Sequence, residues 1–203
     1  MTRLYLTRHG ETEWNIQGRM QGSKDSPLTE LGIKQAMQLG KRLKDTKIDV
    51  VYSSPSGRAY NTAKLILGDR KVNIIPMEEL MEMNFGIWEG MTFDVIRKEY
   101  KEQYDTFWNT PHLLKDFPGE SFEQLKLRGV SAVNKIISEN EGKDILIVGH
   151  ALIVKAIMSH FENLPIEKLL DNRFIQPTSL SVVEVEQDRY EIVKYADTAH
   201  YDI

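Results

Sequence analysis

The chain reads Asp144-Ile145-Leu146-Ile147-Val148-Gly149-His150 in its last third. A continuous apolar run of this length is typical of a strand buried on both faces of a parallel sheet. Gly149 and His150 end the run, and the apolar residues after them predict a helix over 151–161. Because a parallel strand needs helices on both faces of its sheet, this stretch decides the fold class.

Strands and helices alternate along the rest of the chain. The predicted strands are 3–7, 48–52, 144–148, 179–186 and 189–195. The predicted helices are 29–44, 56–67, a segment that begins at the capping box of Ser121 and Gln124, and 151–161. The last two strands form an antiparallel hairpin turned at Gln187-Asp188. This order predicts a three-layer α/β/α sandwich with a mixed, mostly parallel central sheet.

One segment departs from this alternation. Residues 76–118 hold eight of the 18 aromatic residues of the chain. Aromatic residues at helical spacing indicate a helical hairpin packed on the sheet, and they are also suited to the walls of a substrate pocket. We expect a single domain over 1–203 in which 76–118 is a small helical lid insert, with its inner face in the core and its outer aromatic residues around a pocket.

Composition excludes several classes of function. The 203 residues include 26 lysines and arginines against 30 aspartates and glutamates, a net charge of −4, and no cysteine. This charge argues against nucleic acid or a membrane surface as a partner but permits a small anion pocket. Without cysteine the chain has no disulfide, no thiolate nucleophile and no zinc site of cysteine ligands. No apolar run approaches a signal peptide or a membrane span, so we expect a cytoplasmic protein.

Four candidate functional residues follow predicted strands. Arg8 and His9 follow the first strand, Arg58 lies just beyond the second, and His150 follows the strand at 144–148. Ligands of open α/β sheets bind at the carboxyl ends of the strands. A single histidine there is more often structural, but arginines and histidines together indicate an anion site, most simply for phosphate. Neighbouring arginines would keep His9 neutral, which is the form that a nucleophile needs.

A metal site is the rival interpretation. His9 and Glu11 place two possible ligands close together, as in the His-x-Glu motif of zinc deaminases. That motif needs a Pro-Cys-x-x-Cys partner, which the chain lacks, and no His-Glu-x-x-His or glycine-rich phosphate loop is present. We therefore expect no metal and no other cofactor.

The candidate residues belong to a series of short motifs within residues 4–156. They are Leu6-Thr7-Arg8-His9-Gly10-Glu11-Thr12-Glu13-Trp14-Asn15, Gln21-Gly22, Asp25-Ser26-Pro27-Leu28-Thr29, Gly32, Gln35-Ala36, Ser53-Ser54-Pro55, Arg58-Ala59, Thr62-Ala63, Glu82-Met83-Asn84-Phe85-Gly86-Ile87-Trp88-Glu89-Gly90 and Val148-Gly149-His150. In this order they resemble the signature of the histidine phosphatase superfamily, the phosphoglycerate mutase-like proteins.

The resemblance implies a mechanism. His9 attacks the phosphoryl group and becomes a transient phosphohistidine, while Arg8, Arg58 and His150 hold the phosphate oxygens. Glu82 protonates the leaving oxygen and then takes a proton from the water that releases phosphate. No metal or other cofactor takes part.

The resemblance also implies three substrate-binding positions, and the chain departs from the family pattern in two ways: at Ala151, and in being short for the family's glycolytic mutases, which carry longer inserts with extra basic residues. Asn15, Gln21 and Gly22 correspond to the family's flanking substrate loop. Ala151 stands directly after the second histidine, where many members have glycine.

Two alternatives to a phosphatase remain open. The first is a phosphoglycerate mutase, and the second is a catalytically inactive module that binds phosphorylated ligands. The basic residues of 83–118 are Arg97, Lys98, Lys101 and Lys115, with no paired arginines to retain a bisphosphate. This favours a phosphatase of small-molecule phosphomonoesters, and all five implied catalytic positions hold competent residues. The sequence does not indicate an oligomeric state.

Overall fold

A sheet of six strands lies at the centre of the computed structural model, which describes residues 1–115, 117–171, 173–187 and 189–201 and, within them, seven α-helices. The strands are β1 (Thr2–Arg8), β2 (Val50–Ser53), β3 (Ile74–Pro76), β4 (Asp144–Gly149), β5 (Leu180–Glu186) and β6 (Arg189–Asp197). The helices are α1 (Glu13–Ile16), α2 (Glu30–Arg42), α3 (Gly57–Leu67), α4 (Phe93–Glu99), α5 (Lys101–Asn109), α6 (Phe122–Glu139) and α7 (Ala151–Phe161).

The strand order is β3-β2-β4-β1-β5-β6. Strands β3, β2, β4 and β1 are parallel neighbours, whereas β5 runs antiparallel to both β1 and β6. The register pairs Arg8 with Gly149 and Ser53 with Val148. The carboxyl ends of the three central parallel strands therefore reach the same edge of the sheet. The predicted mixed α/β sheet is confirmed.

Each face of the sheet has its own apolar core. On one face, β-strand side chains pack with α2 and α3 through residues such as Leu39, Ala63 and Leu146. On the other face they pack with α6, α7 and the 76–118 segment through residues such as Ile153 and Phe122. The predicted layer of helices on each side of the sheet is present, because the strands between them are apolar on both faces.

The 76–118 segment folds as short helices rather than as one long helical hairpin. Helices α4 and α5 meet at Tyr100, which ends the first and caps the second. Trp88 and Phe107 are fully buried with their ring centroids 5.6 Å apart, a separation typical of aromatic packing. Trp108 is 37% exposed. The segment thus contributes both buried core residues and partly exposed aromatic side chains.

One strand and one α-helix were not predicted from the sequence, nor were the single turns of 3-10 helix. Strand β3 has three residues and ends in Pro76, so it offers no alternating pattern to recognise. Helix α1 has four residues and no buried side chain. The β5–β6 hairpin is present, and Asp188 of its predicted turn lies outside the described residues. Among the described helices, none combines the length and apolar character needed to cross a bilayer.

Candidate active site

Two histidines meet at the carboxyl ends of adjacent parallel strands. Arg8 ends β1, and its register partner on β4 is Gly149. The backbone N–H of His9 donates to the carbonyl oxygen of Gly149 at 3.0 Å. The imidazole rings of His9 and His150 lie 5.1 Å apart, with an angle of 65° between their planes. The register of the sheet therefore fixes the spacing of the two histidines.

The environment of His9 defines which ring nitrogen can react. His9 is 3% exposed, and its Nδ1 lies 2.7 Å from the carbonyl oxygen of Gly10. A carbonyl oxygen only accepts, so Nδ1 carries the proton and Nε2 keeps its lone pair. Burial, followed by the charges of Arg8 and Arg58, holds the pKa of His9 well below its ordinary value of 6.5. His9 is therefore neutral, with a nucleophilic lone pair on Nε2.

Arg58 is held in place by the loop that precedes α2. Its buried guanidinium donates from Nη1 to the carbonyl oxygen of Lys24 at 2.6 Å and to Oδ1 of Asp25 at 2.9 Å. Nη2 donates to the carbonyl oxygen of Gly22 at 2.8 Å. Burial lowers the pKa of Arg58 from its ordinary value of 12.5, which leaves the group cationic at neutral pH. The loop thus orients a buried positive charge beside His9.

Three buried nitrogen atoms of these residues lack a hydrogen-bond partner within the described part of the chain. They are Nε of Arg8, Nε of Arg58 and Nδ1 of His150. The opposite end of the Arg8 guanidinium donates from Nη1 to the carbonyl oxygen of Ile175 at 2.9 Å. Buried polar groups in folded proteins are normally paired. Unpaired nitrogens on these three residues fit a ligand that supplies several acceptor oxygens, as phosphate does.

His150 belongs to the same buried cluster. It is the N-cap residue of α7, and its Nε2 lies 2.8 Å from Oγ of Ser54, which follows β2. Burial, then Arg58 and the other site charges, lowers the pKa of His150 well below 6.5. The ring is therefore neutral when no anion is bound.

The carboxylate of Glu82 lies at the N-terminus of α7. Its Oε2 accepts from the backbone N–H of Leu152 at 3.2 Å, and its Oε1 accepts from that of Ile153 at 3.2 Å. The side chain of His150 makes no capping hydrogen bond, so Glu82 satisfies N–H groups of the first helical turn instead. The predicted acid and the second histidine are thus brought to one helix end.

Asn15, Gln21 and Gly22 all line the cavity that contains Arg8 and His9. The side chain of Asn15 accepts from the backbone N–H of Thr12 at 3.0 Å and so completes the capping box of α1, in which Thr12 is the N-cap residue. Gln21 donates from Nε2 to Oγ1 of Thr12 at 2.9 Å, which leaves its buried Oε1 without a partner in the described chain. These positions hold the loop together as well as facing the cavity.

The cavity has a volume of about 530 Å³ and joins polar and apolar walls. Glu82 lies at the polar end with Arg8, His9 and Arg58, and its apolar walls include Phe85, Phe93, Trp108, Leu152 and Phe174. Three aromatic residues of 76–118 thus line the cavity: the buried Phe85 and the partly exposed Phe93 and Trp108. Ala151, the departure from the family motif, is also part of the wall.

Sequence reasoning missed several parts of this site. They are the buried Lys155, Arg19 and the segment 174–177, together with the contact of Ser54 with His150, since Ser54 was part of a quoted motif but had no role assigned. The segment 174–177 carries no recognisable motif and reaches the site only through the β1–β5 pairing. Lys155 lies one turn after Ala151 on an apolar helix, and this position is the one signal that could have revealed it.

The charged groups of the site do not form a metal cluster. Within the described residues, no group of three histidine or acidic side chains is placed to hold a metal ion. The charged or titratable residues that line the cavity are Arg8, His9, Arg19, Arg58 and Lys155 together with Glu11 and Glu82. The basic groups outnumber the carboxylates, which suits an anion rather than a cation.

A family model of the histidine phosphatase superfamily, branch 1, matches residues 4–198. The chain belongs to this superfamily. The resemblance seen in the sequence motifs is therefore confirmed over nearly the whole chain.

Similar proteins are phosphatases and mutase-like proteins. The structure of the YhfR protein of Bacillus stearothermophilus superimposes with a TM-score of 0.96 at 41% identity, covering 98% of this chain and 99% of that one. Phosphoserine phosphatase 1 of Hydrogenobacter thermophilus is 30% identical over 98% of this chain and 94% of its own length. A probable phosphoglycerate mutase, GpmB of Yersinia pestis, is 31% identical over 100% and 96%. Membership of this superfamily and these similarities fit a phosphatase, with a mutase as the alternative.

Proposed function

We propose that this protein is a phosphatase that hydrolyses small-molecule phosphomonoesters through a phosphohistidine at Nε2 of His9. The hydrogen bond from Nδ1 of His9 to the carbonyl oxygen of Gly10 carries this proposal, since it directs the lone pair to Nε2. The lowered pKa of His9 keeps that lone pair free of a proton. Arg8 and Arg58 supply fixed positive charge beside it.

The first step transfers the phosphoryl group to the enzyme. The Nε2 lone pair of His9 forms the N–P bond while the bond between phosphorus and the ester oxygen breaks. Arg8, Arg58 and His150 donate to the phosphoryl oxygens, and their unpaired buried nitrogens supply donors for this purpose. Glu82, protonated for this step, gives its proton to the leaving oxygen, so the product departs as an alcohol.

The second step regenerates the enzyme. Glu82, now a carboxylate, takes a proton from water as the water oxygen attacks phosphorus. The N–P bond breaks, its electrons return to Nε2 of His9, and inorganic phosphate leaves. Both steps balance without a metal or another cofactor.

The cavity supports a further part of the proposal. Residues 76–118 act as a lid within a single domain over 1–203, because their aromatic side chains Phe85, Phe93 and Trp108 lie around the cavity. Asn15, Gln21 and Gly22 bind the part of the substrate next to the phosphate. Small phosphomonoesters are the partners, rather than nucleic acid or membranes, and we place the enzyme in the cytoplasm.

The second candidate function is a phosphoglycerate mutase, which the similarity to GpmB of Yersinia pestis favours. A mutase must hold its product and return the phosphoryl group to it, whereas a phosphatase must admit water. The two activities are distinguished by incubating the enzyme with 3-phosphoglycerate and a catalytic amount of bisphosphoglycerate and measuring both products. We expect free phosphate to form faster than 2-phosphoglycerate, and the reverse order would assign the mutase.

The intermediate is tested by acid–base stability. We expect rapid quenching with a labelled phosphomonoester to leave base-stable, acid-labile phosphate on the wild-type protein and none on the His9→Ala variant. His112→Ala, a change at an exposed histidine of the insert, serves as the matched control. Normal turnover by His9→Ala would overturn the proposal. Failure of the wild type to hydrolyse p-nitrophenyl phosphate or a broad phosphomonoester panel would instead favour the inactive binding module.

A further inference from the structure

We propose that Arg128 is a positioning residue for Glu82, which it holds through the backbone of the segment that carries this carboxylate. The inference rests on the proposed role of Glu82 as proton donor. Arg128 belongs to α6, and 46 residues separate it from Glu82 in the sequence.

The guanidinium of Arg128 binds three carbonyl oxygens of the Glu82 segment. Nη1 donates to the carbonyl oxygens of Glu79 and Met81, both at 2.8 Å. Nη2 donates to the carbonyl oxygen of Glu82 itself at 3.1 Å. One planar side chain thus fixes three peptide groups around the proposed acid.

Glu120 fixes Arg128 in turn. Nε of Arg128 donates to Oε1 of Glu120 at 2.6 Å, and Nη2 donates to Oε2 at 2.8 Å, so the pair is bidentate. The two side chains are only 23% and 14% exposed. Glu120 also reaches the far side of the segment, because its backbone N–H donates to the carbonyl oxygen of Asn84 at 2.8 Å.

The Glu82 segment needs such support because it lacks regular structure. Glu82 lies between two single turns of 3-10 helix, Glu78–Leu80 and Gly86–Trp88, and belongs to no strand or helix. Glu82 is among the residues that line both the catalytic cavity and an open groove of about 990 Å³. A proton donor displaced by about 1 Å can lose on the order of a hundredfold in rate.

Arg128 and Glu120 act from the groove side. Both residues line the groove, and neither is among the described residues that line the catalytic cavity. Arg128 therefore reaches the site through its hydrogen bonds to the Glu82 segment and through its charge, which also lowers the pKa of His150. The effect on His150 is common to all substrates, whereas an effect on proton donation by Glu82 depends on the leaving group. The position on the groove side distinguishes Arg128 from Arg8 and Arg58, which face the cavity.

The test compares two leaving groups. p-Nitrophenolate departs without a proton, whereas the alkoxide of glycerol 2-phosphate needs one from Glu82. For each substrate kcat/KM covers binding and phosphoryl transfer to His9, and hydrolysis of the phosphohistidine does not enter it. We therefore compare the ratio of kcat/KM for glycerol 2-phosphate to that for p-nitrophenyl phosphate between variants. It measures proton donation and cancels general losses of folded enzyme.

We expect Arg128→Met to lower this ratio about ten- to hundredfold, with a smaller fall for Arg128→Lys, which keeps a charge but not the fork. Arg70→Met is the matched control, because Arg70 also donates to backbone carbonyl oxygens, including those of Leu43 and Ile66, but lies away from the cavity. It should lower the melting temperature and leave the ratio unchanged.

The outcomes separate the inference from the proposed function. Glu82→Gln should lower the ratio at least as far as Arg128→Met does. An unchanged ratio in Glu82→Gln would remove the proposed role of Glu82. A lowered ratio in Glu82→Gln together with an unchanged ratio in folded Arg128→Met would overturn the positioning role of Arg128 alone. Thermal unfolding of each variant establishes that it is folded.

Discussion

Oγ of Ser54 lies 2.8 Å from Nε2 of His150, across the boundary between β2 and β4. Ser54 also accepts from the backbone N–H of Ser56 at 3.3 Å. Nε2 of His150 is the nearest acceptor to the Ser54 hydroxyl, which also lies 3.2 Å from Oγ of Ser56 and 3.3 Å from Sδ of Met81. We expect this hydroxyl to donate to Nε2. A neutral His150 that accepts at Nε2 carries its proton at Nδ1, where it can donate to a phosphoryl oxygen.

The first prediction concerns this pair. We expect Ser54→Ala to lower kcat/KM for p-nitrophenyl phosphate about tenfold, because one buried hydrogen bond is lost and the tautomer of His150 is no longer selected. ¹⁵N NMR should show the proton of His150 at Nδ1 in the wild type and a mixture of tautomers in the variant. Ser138→Ala, at an exposed helical serine, is the control. A proton at Nε2 in the wild type would contradict the prediction.

The second prediction concerns Gly22, whose φ is +58°. A Cβ atom built there would lie 2.1 Å from Oε1 of Glu89, so alanine meets both strain and a clash. Because the carbonyl oxygen of Gly22 accepts from Arg58, we expect Gly22→Ala to raise KM as well as to destabilise the fold by about 1–3 kcal/mol. Chemical unfolding and steady-state kinetics measure the two effects.

Gly142→Ala is the matched control for this change. Gly142 also has a positive φ, +75°, but nothing lies within 4 Å of its built Cβ. It should cost only the backbone strain, about 1 kcal/mol, with no change in KM. Equal behaviour of the two variants would show that the Glu89 clash and the Arg58 contact are unimportant.

The third prediction concerns pH and His200. Burial, followed by the charge of Arg42, lowers the pKa of His200 to about 4, and Nη1 of Arg42 donates to its Nδ1 at 3.2 Å. Between pH 6.5 and 4 the unfolded chain therefore binds a proton at His200 that the folded protein does not. The stability contributed by neutral His200 is complete above pH 6.5 and falls as the pH drops through this window.

A variant isolates this contribution from those of the other histidines. We expect His200→Gln to be less stable than the wild type at pH 7, and the difference in melting temperature to narrow between pH 6.5 and 4. A difference that is constant or widens as the pH falls would contradict the lowered pKa of His200.

The fourth prediction concerns the cavity wall. Trp108 stacks edge-to-face on Phe107, with centroids 5.0 Å apart, and remains partly exposed at the cavity. We expect Trp108→Ala to lower kcat/KM for phenyl phosphate about three- to tenfold and that for glycerol 2-phosphate less, since only the aromatic leaving group loses a stacking surface. Equal losses with both substrates would place Trp108 outside the substrate contacts.

Sequence predicted those parts of the molecule that depend on local patterns. The apolar run 144–148 and the charged residues directly after the strands are short-range signals, so the parallel sheet and the positions of Arg8, His9 and His150 could be derived. The density of aromatic residues in 76–118 is a similar local signal, from which we expected some to be in the core and others at a pocket. Trp88 is fully buried, and Trp108 lines the cavity. The substrate roles of these residues remain predictions.

The supporting contacts could not be predicted, because they arise from register and tertiary packing. Ser54 meets His150 only because β2 pairs with β4 with Ser53 opposite Val148. Arg128 looks like an ordinary charged residue on an amphipathic helix, and nothing near it in the sequence indicates the carbonyl oxygens of Glu79 and Met81. Strand β3 was missed because three residues ending in proline carry too little periodicity.

The first turn of α7 joins the two ends of the proposed reaction. Its N-cap residue is His150, and the backbone N–H groups of Leu152 and Ile153 donate to Glu82. One turn of helix therefore fixes the distance between the proposed proton donor and a proposed phosphate-binding residue. In the proposed reaction, this turn positions the two groups that act on the scissile bond. Phe93, Trp108 and Phe174 line the same cavity but lie outside this turn. Exchanging these wall residues should therefore change the choice of substrate more than the chemistry of phosphoryl transfer.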